Sequence, residues 1–518
     1  MTPTAEHKKP AMIELTQSLV VAFVFAMVFR GFVVEGFVIP TGSMAPTLLG
    51  THLLKHSDQT GQDFAVGFDN SRGFAPERFS DPLLGRRQPL LLSEAKKVEP
   101  RSGDRVLVLK SLFPFFEPKR YDVVVFKNPT DTQGLSANYI KRLIGLPNET
   151  IWIVDGEVFA KKGDDEFTIQ RKPLHIQRSL WRAVSNSDAI VTDSLALTIP
   201  WRGSPWRGSP QSDWINQNRM WSCTTSDPSI LTWDSTALFI DDWLPYNMLM
   251  PNVKINPISD MRVSATITPE SDDLTAGFVL DTLGFRMQWV VTRETGSLII
   301  SSKNGQLIEE IQVEIDGTQA FKPMLLECWH ADQAMHLFIN NTRVASLEYD
   351  LGPKERLRRA TGADPNEPLS QLVDDDKKEP KLQWQFHGSP FTLTKLRVDH
   401  DLYYRDSRLP SRATKNPTKQ GNEPLVLTGS PAFGTHPDKL AVLNEDQFFM
   451  AGDNSAYSLD SRLWGNPDEF VATQIDDTPF VVHRDLLIGK AWSVYWPAPL
   501  SAGPVKLVPD FGRIRFIR

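Results

Sequence analysis

The chain has 518 residues, of which 41% are hydrophobic and 23% are charged, and this composition suits a globular protein of two to four domains. The formal net charge is -7 and the basic residues form no stripe, so we predict no nucleic-acid partner. Two cysteines, Cys223 and Cys328, exclude a disulfide-rich scaffold and a four-cysteine metal site. They could form one bridge or remain buried thiols.

The first element is an apolar stretch near the N-terminus. Lys8 and Lys9 precede it, it runs from residue 15 to residue 29, and its apolar character continues past Arg30. A cleaved signal peptide is the alternative, but we find no small-x-small cleavage site before the region that follows. We therefore predict that residues 1–35 form a cytoplasmic N-terminus and a single transmembrane anchor, with the rest of the chain across the membrane.

The next regions are rich in predicted strands. Residues 36–160 contain short Val- and Ile-rich runs separated by turns, which predict an antiparallel sheet. Residues 161–425, here called the middle segment, contain alternating runs such as 261–267, which predict an inserted β-sandwich of jelly-roll type with polar loops. One such loop is expected between Gly352 and Lys381. Residues 426–518 return to the first sheet.

Ser43 is the candidate nucleophile, because it lies in a short Gly-Ser-Met-Ala motif directly after a strand-like run. A serine hydroxyl needs a base, and the chain offers neither a Gly-x-Ser-x-Gly elbow nor a histidine in a persuasive triad setting. Strand alternation places Tyr139 and Lys141 on one face, where burial would lower the pKa of the lysine and let it act as the base. The alternative is that Lys141 extends to water beside Arg142.

Four motifs occur in the chain in a fixed order. They are Ser-Met-Ala-Pro-Thr-Leu at 43–48, Tyr-Asp-Val-Val-Val-Phe at 121–126, Tyr-Ile-Lys-Arg-Leu-Ile-Gly-Leu-Pro at 139–147, and Gly-Asp-Asn at 452–454 followed by Ser-Leu-Asp-Ser-Arg-Leu-Trp-Gly at 458–465. This series resembles the signature boxes of bacterial type I signal peptidases and covers about half of the chain. Two departures stand out: Ser-Ala-Tyr at 455–457 replaces the usual Arg-Asp-Asn, and the middle segment separates the last two motifs.

The resemblance implies a catalytic role for four residues. Ser43 would be the nucleophile and Lys141 the general base. The hydroxyl of Thr41 and the backbone N–H of Ser43 would form the oxyanion hole, and the hydroxyl of Ser458 would orient the lysine amine.

Five further residues receive supporting roles from the same resemblance. Asp460 and Arg462 would form a charged pair that supports the last motif; without the resemblance, a surface salt bridge would be the preferred interpretation. Ile39, Tyr139 and Ile140 would line shallow pockets for small substrate side chains.

The resemblance also implies a function. The protein would be a serine endopeptidase, anchored in the cytoplasmic membrane of a bacterium with its catalytic core on the outer side, that removes signal peptides from exported preproteins through an acyl-enzyme. It would need no metal or cofactor, and the middle segment would bind a glycan or a protein, or serve a structural role. The alternatives are a Ser-Lys peptidase with another target, such as a self-cleaving repressor, and a catalytically silent membrane protein whose β-sandwich binds partners.

Overall fold

The computed structural model describes most of the chain. The described residues are 11–68, 78–85, 89–91, 100–110, 112–113, 115–131, 135–189, 203–217, 219–248, 255–362, 377–406, 419–420, 423–424, 430–502 and 505–518. Strands far outnumber helices in these ranges, which confirms the prediction of a mainly β protein.

The four helices described are α1 (Ala11–Phe32), α2 (Leu174–Leu180), α3 (Pro353–Thr361) and α4 (Glu469–Gln474). Large apolar side chains of α1 are exposed; Phe23 and Phe25, for example, are 64% and 71% exposed. Within the described ranges, none of the helices has the combination of length and hydropathy that a membrane span requires. The transmembrane anchor therefore stays a prediction.

The first eleven described strands lie mostly in residues 36–160, the region that the sequence predicts as sheet. They are β1 (Val34–Val38), β2 (His52–His56), β3 (Asp63–Gly67), β4 (Arg78–Ser80), β5 (Pro89–Leu91), β6 (Arg105–Lys110), β7 (Val123–Lys127), β8 (Asn138–Gly145), β9 (Glu149–Val154), β10 (Glu157–Lys162) and β11 (Thr168–Ile169). β10 and β11 pair with each other, so this region continues past residue 161.

The strands of the middle segment that follow are mostly long. They are β12 (Arg182–Asn186), β13 (Trp206–Ser209), β14 (Trp214–Gln217), β15 (Met220–Cys223), β16 (Ser229–Trp233), β17 (Met261–Pro269), β18 (Thr275–Thr282), β19 (Phe285–Val291), β20 (Thr295–Ser302), β21 (Leu307–Glu314), β22 (Met324–Ala331), β23 (Ala334–Ile339), β24 (Thr342–Glu348), β25 (Lys381–His387), β26 (Phe391–His400), β27 (Lys419–Gln420) and β28 (Glu423–Pro424).

The last strands return to the first region. They are β29 (Ala441–Val442), β30 (Gln447–Ala451), β31 (Val482–His483), β32 (Leu487–Trp496), β33 (Pro499–Ala502), β34 (Val505–Pro509) and β35 (Arg515–Phe516). One sheet has the order β1-β6-β32-β7-β8-β30-β31, so strands from both ends of the chain alternate in it. A second sheet, β11-β10-β9-β29, likewise combines both ends. These two sheets contain the region that the sequence predicts to be the catalytic core, and we use that name for them.

Two larger antiparallel sheets form the middle segment. Their orders are β14-β15-β26-β17-β22-β23-β24 and β13-β16-β25-β18-β19-β20-β21. In β19 buried and half-buried residues alternate, as expected for a strand with one face against a core. Side chains from both sheets, including Trp289 and Leu326, belong to one continuous hydrophobic core. The jelly-roll assignment and the domain boundaries stay predictions.

The polar segment between Gly352 and Lys381 differs from the expected exposed loop. Its first part is α3, whose Leu357 packs with Trp152 and Phe159 of the catalytic core. Pro353 in the first turn and Gly362 after the last turn are residues that favour the start and end of a helix. Residues 363–376 lie outside the described part of the chain.

The two cysteines are free and buried. Cys223 lies in β15 and Cys328 in β22, which belong to the same sheet. Burial raises the pKa of the Cys328 thiol well above its usual value, so this thiol stays protonated. Of the two alternatives from the sequence, buried thiols are the one observed.

Candidate active site

Ser43 and Lys141 are in direct contact. Ser43 lies in a short 3-10 turn, Gly42–Met44, that follows β1, and Lys141 lies in β8. Lys141 Nζ is 2.6 Å from Ser43 Oγ, and it also donates a hydrogen bond of 3.2 Å to the carbonyl oxygen of Ile140. Ser43 is only 7% exposed and Lys141 only 3%. A hydroxyl and an amine at this distance can exchange a proton directly.

The surroundings of Lys141 favour its neutral form. Burial lowers the pKa of Lys141 to about 8, while the nearby carboxylates Asp460 and Asp453 act in the opposite direction. The ring of Tyr139 lies 5.3 Å from Nζ, on the same face of β8. The alternative that Lys141 extends to water is therefore wrong. An amine with this pKa is deprotonated in a useful fraction of molecules near neutral pH.

A buried ion pair joins β8 to the Gly452 motif. Arg142 donates to both carboxylate oxygens of Asp453, at 2.8 and 2.7 Å, and both side chains are fully buried. Thr47, four residues after the nucleophile, donates to Asp453 Oδ2 at 2.6 Å. Burial alone would raise the pKa of Asp453, but the Arg142 guanidinium lowers it below its usual value. Sequence reasoning missed this pair, although both residues lie inside the motifs that carry the resemblance.

Asp460 and Arg462 form a second buried ion pair. Arg462 donates to Asp460 through Nε at 2.9 Å and Nη2 at 2.7 Å, and neither side chain is exposed. Asp460 Oδ2 also accepts a hydrogen bond of 2.9 Å from the backbone N–H of Gly452. The surface salt bridge considered from the sequence is therefore wrong, because the pair lies inside the protein and fixes the loop behind Lys141.

Gly452 lies at the closest approach of this loop to Ser43. A Cβ atom built there would lie 2.2 Å from Ser458 Oγ and 2.5 Å from the backbone oxygen of Ser43. Ser458 is buried, with 3% exposure. Thr41 is exposed and immediately precedes the 3-10 turn. The structure thus brings the last motif against Ser43, while the roles of Thr41 and Ser458 stay predictions.

The residues predicted to contact substrate lie beside the nucleophile. Ile39 and Ile140 are buried in one hydrophobic cluster that also contains Met44. Tyr139 is half-buried and packs edge-on against the ring of Phe126. Their place is compatible with pockets for small side chains, and that role stays a prediction.

The middle segment contributes residues to the site that sequence reasoning missed. Arg182 donates a hydrogen bond of 2.5 Å to the backbone oxygen of Asp453. The backbone N–H of Arg405 donates to Ser455 Oγ at 2.8 Å, and Arg462 donates to the same oxygen at 2.5 Å. Ser455 is the first residue of the tripeptide that departs from the family pattern. Its hydroxyl accepts a hydrogen bond from the backbone of Arg405 in the middle segment. The residue that departs from the family pattern is therefore in direct contact with the segment that interrupts the pattern.

A cluster of four acidic residues lies between the catalytic core and the middle segment. Glu157, Asp260, Asp332 and Asp401 are all buried, and one ligand atom from each lies within 4.8 Å of the others. Among the described residues this is the arrangement that could hold a metal ion. Lys172 already forms ion pairs with Asp332 and, at 3.0 Å, with Asp401. The protein's own cations thus neutralise these carboxylates in part.

Comparisons with known proteins agree on one family. A family model described as "Signal peptidase, peptidase S26" matches residues 12–175. Signal peptidase I of Pseudomonas aeruginosa is 28% identical over 182 residues, which cover 33% of this chain and 49% of that protein. Signal peptidase I of Pseudomonas fluorescens is 30% identical over 164 residues, which cover 30% of this chain and 42% of that protein. The chain thus spans at most about half the length of these curated relatives.

The similarity to solved structures is too low to identify the fold or the ligand of the middle segment. A carbohydrate-binding module, CBM66 from Bacillus subtilis, is similar with a TM-score of 0.23 and 8% identity, over 38% of this chain and 96% of that chain. A score of this size supports no conclusion about fold or ligand, so the glycan or protein ligand of the middle segment stays a prediction. The family match includes both Ser43 and Lys141. The part of the chain that is similar to the signal peptidase, peptidase S26 family is therefore the part that holds the candidate catalytic pair.

Proposed function

We propose that the protein is a serine endopeptidase that cleaves N-terminal signal peptides from exported preproteins, with Ser43 as nucleophile and Lys141 as general base. The observation that carries this proposal is the 2.6 Å contact between Lys141 Nζ and Ser43 Oγ at a buried lysine of lowered pKa. The chemistry needs only these two groups and hydrogen-bond donors for the oxyanion.

In the first half of the reaction, neutral Lys141 takes the proton of the Ser43 hydroxyl while Oγ attacks the scissile carbonyl carbon. The Ser43 backbone N–H and the Thr41 hydroxyl donate to the oxyanion that forms. The tetrahedral intermediate then collapses, and Lys141 gives its proton to the departing amine of the mature protein. The signal peptide is left as an ester on Ser43.

In the second half, Lys141 takes a proton from a water molecule, which attacks the ester. Collapse of the second intermediate returns the proton to Ser43 Oγ and frees the signal peptide with a new carboxyl terminus. Ser458 is proposed to orient the lysine amine, because its side chain is buried beside Gly452, in the loop that packs on Ser43.

The substrate is proposed to bind as an added strand. The ladder between β8 and β30 includes Arg142 and Leu143 but not the preceding residues of β8, and β1 pairs with β6 along one edge only. Both strands thus offer backbone groups near Ser43 to an extended peptide. Ile39, Tyr139 and Ile140 would then face the small side chains at the first and third positions before the cut.

Attachment to the cytoplasmic membrane through α1 is part of the proposal, with the catalytic core on the outer side. Its support is the exposed apolar surface of α1, which has no packing partner of matching size among the described elements. Fractionation checks it: wild-type protein should stay in the membrane pellet after carbonate washing, and a variant with Val20→Arg and Val24→Arg should be released. Release of both proteins would refute attachment.

Cleavage of a purified preprotein tests the enzymatic proposal. Ser43→Ala and Lys141→Ala should each reduce cleavage by at least about 10³-fold, since either change removes one half of the reacting pair. Ser212→Ala and Lys322→Ala are matched controls at exposed positions of the middle segment and should cleave normally. If the two active-site variants cleave as fast as the wild type, the protein is not a Ser-Lys peptidase.

A further inference from the structure

We infer that Asn247, in the middle segment, is a positioning residue that orients the backbone oxyanion donor of Ser43. The inference rests on the proposed function and deepens it, because it gives the middle segment a defined role in the reaction. It is carried by a chain of hydrogen bonds that begins at Asn247 and ends at the peptide unit between Gly42 and Ser43.

The first link is a reciprocal pair of amides. Asn247 Nδ2 donates to Asn454 Oδ1 at 2.7 Å, and Asn454 Nδ2 donates back to Asn247 Oδ1 at 2.7 Å. Both side chains are buried, Asn247 with 6% exposure and Asn454 with none. The pairing fixes which way the amide of Asn454 points, because a rotated amide would place oxygen against oxygen between two buried side chains.

The second link runs from Asn454 to the 3-10 turn Gly42–Met44, here called the nucleophile turn. Asn454 Nδ2 donates its other hydrogen to the carbonyl oxygen of Gly42 at 3.0 Å, and the backbone N–H of Asn454 donates to the carbonyl oxygen of Ser43 at 3.0 Å. Asn454 therefore holds the carbonyl groups on both sides of Ser43. All the hydrogen-bonding groups of its side-chain amide are used, and one partner is Asn247.

The third link is the peptide unit itself. The carbonyl of Gly42 and the N–H of Ser43 belong to one planar group, so an orientation imposed on the first is imposed on the second. The same N–H is the backbone donor proposed for the oxyanion. A hydrogen bond accepted by the carbonyl also polarises the N–H and strengthens it as a donor. Asn247 thus acts on the oxyanion hole without touching substrate.

Tyr246 supports the same turn from the neighbouring position. Its ring packs so closely on Gly42 that a Cβ atom there would lie 1.8 Å from ring carbon Cε1, and its hydroxyl donates to the backbone oxygen of Thr51 at 2.9 Å. Tyr246 and Asn247 lie in one short 3-10 turn, Pro245–Asn247. This turn of the middle segment is thus seated directly on the nucleophile turn.

Steady-state cleavage of one preprotein by full-length protein tests the inference. Asn247→Ala should lower kcat about 10-fold and change KM by less than about 2-fold, because the oxyanion forms only after substrate binds. Asn454→Ala should lose at least as much, and the double variant should lose no more than Asn454→Ala, since both residues act through one chain of bonds. The pH midpoint of kcat should not move, because Asn247 does not contact Lys141.

Binding of a peptide aldehyde with a small residue at its end provides a second measurement. The aldehyde forms a tetrahedral adduct with Ser43, so its inhibition constant should rise in Asn247→Ala by the factor that kcat falls. Asn340→Ala is the matched control: this asparagine lies in a turn of the middle segment at positive φ, and its Oδ1 accepts from the N–H of Leu325. It should lower stability and leave kcat unchanged.

The outcomes separate the two proposals. If the wild type cleaves through Ser43 and Asn247→Ala matches it in kcat and in aldehyde binding, the inference is overturned and the proposed function stands. If Asn340→Ala loses as much kcat as Asn247→Ala, the effect is a general loss of stability, and the inference is again overturned. If the wild type shows no cleavage that depends on Ser43, both proposals fail.

Discussion

Lys141 and Tyr139 lie on one face of β8, and the centre of the Tyr139 ring is 5.3 Å from Lys141 Nζ. The lysine therefore meets an aromatic surface where most lysines meet water. This contact and the loop behind the amine account for the burial that lowers its pKa. The consequences can be measured in both activity and stability.

The rate of cleavage at saturating substrate should depend on the pKa of Lys141. Because the base must be neutral, kcat should rise about tenfold per pH unit at low pH and level off above a midpoint near 8. Asp460→Asn removes a carboxylate that raises this pKa, so its midpoint should lie lower. A wild-type midpoint near the usual value for lysine would contradict the assignment of Lys141 as a buried base.

Replacing Lys141 by methionine should stabilise the protein at neutral pH. The folded state binds the lysine proton more weakly than the unfolded state, so below about pH 8 folding carries a cost, and this cost disappears as the pH rises through the unfolded value. The shift corresponds to about 3 kcal/mol. Urea denaturation at pH 6.5 and pH 10 measures it. Lys381→Met, at an exposed position, should show no such pH dependence.

Asp453→Ala should be strongly destabilising. It leaves the guanidinium of Arg142 fully buried without its carboxylate, and breaking such a pair typically costs about 3–5 kcal/mol. Asp350→Ala removes an exposed carboxylate that pairs with Arg171 at 2.9 Å and should cost less than about 1 kcal/mol. Denaturant midpoints compare the two variants. Equal losses would show that the Arg142 pair contributes no more than a surface contact.

Gly452→Ala should reduce activity about 10²-fold while leaving a folded protein. The added methyl group would meet Ser458 Oγ at 2.2 Å and the backbone oxygen of Ser43 at 2.5 Å, so the nucleophile or the loop must move. Overpacking of this kind costs about 1–3 kcal/mol, and a displacement of about 1 Å can reduce the rate about 10²-fold. Gly352→Ala, where the methyl group meets open space, is the control. Unchanged cleavage by Gly452→Ala would contradict the close approach.

The acidic cluster should give the protein an unusual pH dependence of stability. Burial raises the pKa of Asp401 to about 6, although Lys172 opposes the shift. A carboxyl with a raised pKa stabilises the fold at low pH, and this contribution is lost as the pH rises to about 6. Asp401→Asn removes the titration, so its stability relative to the wild type should increase by up to about 3 kcal/mol between pH 4 and pH 7. A constant difference between the two proteins would refute the raised pKa.

The sequence predicts Ser43 and Lys141 as the candidate catalytic pair, but it does not predict the residues that hold this pair in place. Ser43 and Lys141 lie in local motifs, and strand alternation is sufficient to place Lys141 beside Tyr139 on one face. Asn247 lies in no periodic pattern, and its partner Asn454 is 207 positions away, so no local signal connects them. The helix α3 was missed for a similar reason. Its polar sequence is typical of a loop, and its burial depends on contacts with Trp152 and Phe159 that only the folded chain supplies.

The position of Asp453, 311 residues after Arg142, has a consequence for the order of events during synthesis. Ser43 and Lys141 are synthesised early, but the carboxylate that pairs with Arg142 is synthesised only after the middle segment. Closing a chain of this length costs only about 1 kcal/mol more than closing the 98 residues between Ser43 and Lys141. Loop closure therefore permits the interruption, while the order of synthesis delays completion of the candidate site. A nascent chain that ends before Asp453 contains Ser43 and Lys141 but lacks the carboxylate that pairs with Arg142.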